Sequence, residues 1–124
     1  MAEHNRLGVW GENLAREYLI ANGYAIVNLN MRVGHKEVDL VAQKGSRIIF
    51  VEVKTRSTDF VDPLEAVDDK KIRRMVRVAD AYVSQLVHPF EPQFDIITIV
   101  GTPETGHRLT HYPDAFMPPL SGAR

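Results

Sequence analysis

The run Ile48-Ile49-Phe50-Val51-Glu52-Val53-Lys54-Thr55 constrains this chain more than any other segment. Its β-branched and aromatic content is that of a strand, and successive side chains of a strand point to opposite faces. Glu52 and Lys54 therefore share one face, while Val51 and Val53 point to the other. Charges embedded in so apolar a run leave two readings open. Either this face is solvated near the strand end, or the pair serves a recessed site.

A second strand precedes it, Glu37 to Gln43 (EVDLVAQ), joined through Lys44-Gly45-Ser46, a strong hairpin signal. Counting the hairpin register tests whether Asp39 belongs with Glu52. One even loop sets Glu37 opposite Glu52 and Asp39 opposite Phe50; the other sets Asp39 directly opposite Glu52. Both registers place the two carboxylates on one face. An odd loop without a bulge would separate them. Like charges in a sheet rich in Ile and Val destabilise it unless something neutralises them, and a divalent cation would do so. With no cysteine in the chain, an oxygen-only donor set suits Mg²⁺ or Mn²⁺. Lys54 beside such a cation would stabilise developing phosphorane charge or help orient and deprotonate a water, which is the chemistry of metal-assisted phosphodiester hydrolysis.

The remaining elements frame this hairpin. Arg6 to Asn22 reads as a helix with Trp10, Leu14, Tyr18 and Ala21 on one stripe and Asn22-Gly23 as its stop. Gly8, Gly11, Glu12, Ala15 and Leu19 form a second stripe, on which Glu12 reads as a solvated glutamate favoured by the helix dipole. Tyr24 to Asn30 is a first strand of a three-stranded antiparallel meander. After the polar connection STDFVDP, a helix is expected from a cap at Asp68, with Ile72, Met75, Val76, Ala79, Val83 and Leu86 on its core face. Pro89 and Pro92 end it. Phe94 to Val100 (FDIITIV) reads as a strand buried on both faces, and Arg108 to Tyr112 as a short last strand. The order α-β-β-β-α-β-β implies an α/β fold, a mixed sheet flanked by helices. One domain over residues 1–118 is expected, followed by a flexible tail at 119–124.

Composition narrows the function classes. Fifteen Lys and Arg against 16 Asp and Glu, a formal charge of −1, argue against a surface basic all over. The bases are instead gathered locally, at Arg56 and at Lys70, Lys71, Arg73, Arg74 and Arg77. A basic helix face is either simply solvated or positions phosphates, which would make binding sequence-tolerant and salt-dependent. Arg32 and Lys36 would extend that surface, and Glu37 sits at the rim of the acidic pocket. His35 has no second histidine at ligand spacing, which argues against zinc; His107 and His111 read as surface or core-edge residues and Trp10 as core. No window approaches the roughly 20 apolar residues of a membrane span, and the first residues carry no apolar segment of signal-peptide type. The expectation is a cytoplasmic protein.

Taken together, GENLAREYL, HKEVDLV, FVEVKTR, the basic helix start and FDII resemble the YraN family of uncharacterised bacterial proteins, from about Gly8 to Phe116. That family is similar in fold and motif to the restriction-endonuclease-like PD-(D/E)XK nucleases. The resemblance implies catalytic roles for Asp39, Glu52 and Lys54, and adds Glu12 to Asp39 and Glu52 as a third metal-site residue. It also implies a Mg²⁺- or Mn²⁺-dependent nuclease acting on DNA, including branched or repair intermediates. Lys36 stands where the family usually has Gly, and Val61 follows Phe60 where Gly is usual. A non-catalytic nucleic-acid-binding or accessory protein is the alternative, and an adaptor without nucleic acid a more distant one. Many nucleases of this fold dimerise, so a homodimer stays open.

Overall fold

The computed structural model describes residues 3–33, 36–58, 69–86 and 90–115, with the side chains in those spans except 3–5, 31–33, 36 and 37. The expected cap Asp68, Pro89, His35, the Phe60-Val61 pair and the 119–124 tail lie outside the described residues, as do the side chains of Arg32, Lys36 and Glu37.

The elements are α1 (Glu3–Ala21), β1 (Ala25–Val33), β2 (Lys36–Lys44), β3 (Arg47–Arg56), α2 (Asp69–Val83), β4 (Glu91–Thr102) and β5 (Gly106–Tyr112). They build a five-stranded mixed sheet in the order β1-β2-β3-β4-β5. The first three strands form the expected antiparallel meander, β4 lies parallel to β3 after the α2 crossover, and β5 returns antiparallel to β4. This is the α/β architecture that the element order implies.

Local chemistry explains where the elements stop. Gly23 takes φ 90° just past α1, and Tyr24 N–H donates to Leu19 C=O while Gly23 N–H donates to Ile20 C=O. That paired closure consumes two carbonyls the helix end leaves orphaned, and it needs a left-handed residue where glycine stands. The hairpin between β2 and β3 turns on Gly45, at φ 61°, and Ser46, with Lys44 paired to Arg47. Pro92 does not close α2. The helix ends at Val83, and Pro92 is the second residue of β4, opposite Ile48; a proline is tolerated at a strand start, before the ladder needs its missing N–H.

Alternation along the strands makes two cores, one on each face of the sheet. Leu40, Ile49, Val51, Val53, Ile97 and Ile99 face α1, meeting Ala15, Leu19 and the partly buried Trp10 and Leu14. Val41, Ile48, Phe50 and Phe94 face α2, meeting Met75, Val78 and Ala79. On the α1 side, a Cβ at Gly11 would run into Oγ1 and Cβ of Thr55. The helix therefore reaches β3 closely only because position 11 has no side chain.

Candidate functional site

The register of the central hairpin decides the site. Leu40 pairs with Val51, Val41 with Phe50 and Lys44 with Arg47, which is the phase that would carry Asp39 opposite Glu52 if the ladder ran one pair further. The ladder between β2 and β3 ends at Leu40–Val51, whereas β3 continues beside β4 as far as Arg56–Val100. Beyond Leu40 the strands part. Val53 N–H, whose turn it is to bond toward β2, donates instead to Asp39 Oδ2 at 2.9 Å. Val38 marks the same departure, because it joins the α2-side cluster together with Val41, three positions away and out of step with strand alternation.

Glu52 lies at this fork and is only 5% exposed. Its neighbours on the same face are the core residue Phe50 before it and the half-buried Lys54 after it. A carboxyl so placed resists ionisation: burial first, then the nearby Asp39 charge, push its pKa up to about 7, against the opposing pull of Lys71 and Lys54. Lys71 Nζ sits 2.5 Å from Glu52 Oε2, the side chains 24% and 7% exposed respectively. Two carboxylates and two ammonium groups thus meet where β2 leaves β3.

The helices contribute differently from the sequence reading. On α2, Lys70, Arg73 and Arg77 are exposed and Arg74 half-buried, and their i, i+3, i+4, i+7 spacing makes one outward stripe. Lys71 is not part of it. It falls four residues before Met75 and seven before Val78, both fully buried, so its stem lies over the core face and its ammonium reaches Glu52. That spacing is present in the sequence and separates Lys71 from the outward stripe of Lys70, Arg73, Arg74 and Arg77. Arg56 is exposed at the end of β3. Glu12 is half-buried on α1, next to the Gly11–Thr55 contact. It rises on the side of the sheet opposite Glu52, and among the described residues no group of three or more His, Asp or Glu side chains is preassembled to hold a metal ion.

A second polar cluster escaped the sequence reading. Asp95, fully buried on the α1 face, accepts from Gln93 Nε2 at 2.9 Å and Asp114 N–H at 3.0 Å. Its other oxygen lies 2.7 Å from His111 Nε2, and His111 Nδ1 is 3.0 Å from Tyr18 Oη. The signal was an acid inside the apolar run FDIITIV. Burial and the Asp95 charge also raise the Tyr24 pKa. Trp10 packs on the core as expected, its ring edge-on to His107 at 5.5 Å.

The donor set at the fork fits a hard divalent cation. It offers oxygen ligands only, from two carboxylates whose mutual repulsion favours a shared positive charge, and one of those oxygens is held by the Lys71 ammonium.

A mixed α/β sheet of this order, an antiparallel meander followed by a helical crossover to a parallel strand, is the restriction-endonuclease-like fold. In keeping with this, the structure is similar to that of a Holliday junction resolvase from the archaeal hyperthermophile Archaeoglobus fulgidus, with a TM-score of 0.50 and 16% identity, covering 86% of this chain and 77% of that one. Residues 11–99 match the model of the uncharacterised protein family UPF0102. The chain is 52% identical over 122 residues to a UPF0102 protein of Bacteroides thetaiotaomicron, covering 97% of this chain and 99% of that protein. It is 44% identical to one of Christiangramia forsetii, covering 94% and 98%. The chain belongs to the UPF0102 family, which is the YraN family. No helix among the described residues is long and apolar enough to cross a membrane.

Proposed function

We propose that this protein is a metal-dependent nuclease that hydrolyses phosphodiester bonds in DNA, with Asp39 and Glu52 as the principal cation ligands and Lys54 as the catalytic ammonium. The observation that carries the reading is the convergence of Asp39, buried Glu52 and Lys54 at the β2–β3 fork. A carboxyl this costly to bury, its pKa raised by burial beside a like charge, is a candidate for function. A Mg²⁺ or Mn²⁺ ion bound there would polarise the scissile phosphate and lower the pKa of the attacking water.

The chain's own residues do the rest. Asp39, anchored through Oδ2 by Val53 N–H, keeps its carboxylate facing Glu52. Lys54 supplies positive charge where the phosphorane develops. Glu12 stands across the sheet from Glu52, one residue from the tight Gly11–Thr55 contact, so it would serve as a third ligand only by reaching past the end of the sheet. The Lys70, Arg73, Arg74 and Arg77 stripe, with Arg56, holds the phosphate backbone without reading bases.

The accessory reading has an observation of its own: Lys71 sits where a cation would be needed, and no three-ligand group is preassembled among the described residues. One experiment separates the two. The protein is incubated with Mn²⁺ and linear, nicked or four-way-junction DNA, beside Lys54→Ala and Asp39→Ala; the fold likeness to a junction resolvase makes the four-way junction the first substrate. The nuclease reading expects cleavage by the unaltered protein and a loss of about 100-fold or more in either variant. Cleavage that survives both substitutions overturns the site assignment. Metal and DNA binding without cleavage favours the accessory role.

A further inference from the structure

Lys71 is the residue whose placement the sequence left least explained. It begins a helix whose other bases point outward, yet its side chain follows the core stripe and ends 2.5 Å from the most buried carboxylate of the site. The ammonium of Lys54 is close enough to act on the same carboxyl. Among these four groups, with Asp39 and Glu52 ionised, two negative charges face two positive ones. A divalent cation added to this set would leave two excess positive charges in a poorly solvated space, and a cation on Glu52 needs the oxygen that Lys71 now holds. Moving Lys71 out frees the oxygen and halves the excess charge, and the lysine stem is long, flexible and already one quarter exposed.

We propose that Lys71 is an exchangeable counter-ion of the site: it neutralises Glu52 while no metal is bound, and a divalent cation displaces it toward solvent. There the ammonium joins Lys70, Arg73 and Arg74 on the first turns of α2, so cation binding adds a positive charge to the phosphate-facing surface. This inference rests on the metal-site reading above and concerns how that site is regulated. Lys71 acts as a positioning residue for Glu52 in the metal-free protein and as a phosphate ligand in the loaded one.

The test labels surface amines of the full chain with an N-hydroxysuccinimide ester at pH 8.5, with and without Mg²⁺, and quantifies each lysine by peptide mass spectrometry. Mn²⁺ binding to the wild type and to Lys71→Met is measured by calorimetry at the same pH. In the metal-free protein Lys71 should label several-fold more slowly than its neighbour Lys70, and Mg²⁺ should raise Lys71 labelling several-fold while leaving Lys70 unchanged. Lys71→Met should bind Mn²⁺ about tenfold more tightly, having no ammonium to displace. Metal binding with unchanged Lys71 labelling overturns the exchange and leaves the metal site standing. Weaker binding by Lys71→Met, or binding by that variant alone, overturns it too, since the ammonium would then be a helper or a permanent block. Absence of metal binding by both proteins overturns the metal-site reading and the exchange together.

Discussion

Glu52 concentrates the physical cost of the site in one residue. Its pKa, raised from 4.5 to about 7 by burial and by Asp39, means that the folded protein holds a proton there that the unfolded chain has released. Stability from this group is full below pH 4.5 and is lost as pH rises toward 7, because the slope is negative wherever the native state binds more protons. The whole effect amounts to at most about 3 kcal/mol. In metal-free buffer with a chelator, urea unfolding of the wild type between pH 5 and pH 8 should therefore lose stability relative to Glu52→Gln, and added Mg²⁺ should remove the difference. Parallel pH profiles for the two proteins would contradict the raised pKa. Asp39 shows the complementary lesson: the hairpin count admitted two registers from local pattern, and only the observed pairing chose between them, bringing the Asp39 carboxylate to Val53 N–H beside Glu52.

The helices illustrate what periodicity can and cannot see. Met75, Val76 and Ala79 were legible as core because apolar spacing at 3.6 residues per turn is a property of the chain itself. Assigning all five early bases of α2 to one surface was too coarse, since one position of rotation separates Lys71 over Glu52 from Lys70 in solvent. The outward stripe makes its own prediction. Replacing Lys70, Arg73, Arg74 and Arg77 with Gln should weaken duplex binding uniformly across sequences. The slope of log affinity against log salt should become shallower by about 0.9 for each phosphate no longer neutralised; an unchanged slope would remove the stripe from the interface. On α1, Gly11→Ala places a methyl against the stiff, β-branched Thr55. It should cost about 1–3 kcal/mol in chemical denaturation, whereas Gly8→Ala, with open space around it, should stabilise or leave stability unchanged.

Across the whole molecule, the sheet carries separate polar investments on its two faces: the carboxylate and ammonium cluster under α2, and the Asp95–His111–Tyr18 network under α1. The second ties β4, β5 and α1 together through one fully buried acid. Asp95→Ala would strip His111 and the Asp114 amide of their acceptor and should destabilise the fold by about 3 kcal/mol. Tyr18→Phe, which removes only the outer bond, should cost about 1 kcal/mol; equal small losses in urea unfolding would argue that the network adds nothing to stability.

The amino-acid sequence alone determined the element order, the meander, the crossover through α2 and the residue types able to hold a cation. These follow from local periodicity, turn chemistry and family resemblance, each read within a short window. Tertiary structure decided the register that faces Asp39 with Glu52, the parting of β2 from β3, the capture of Glu52 by Lys71 and the burial of Asp95 against His111. Those pairings join residues well apart in the chain, Asp95 and His111 by 16 positions, and which distant groups meet depends on sheet pairing and helix rotation, which no local pattern encodes.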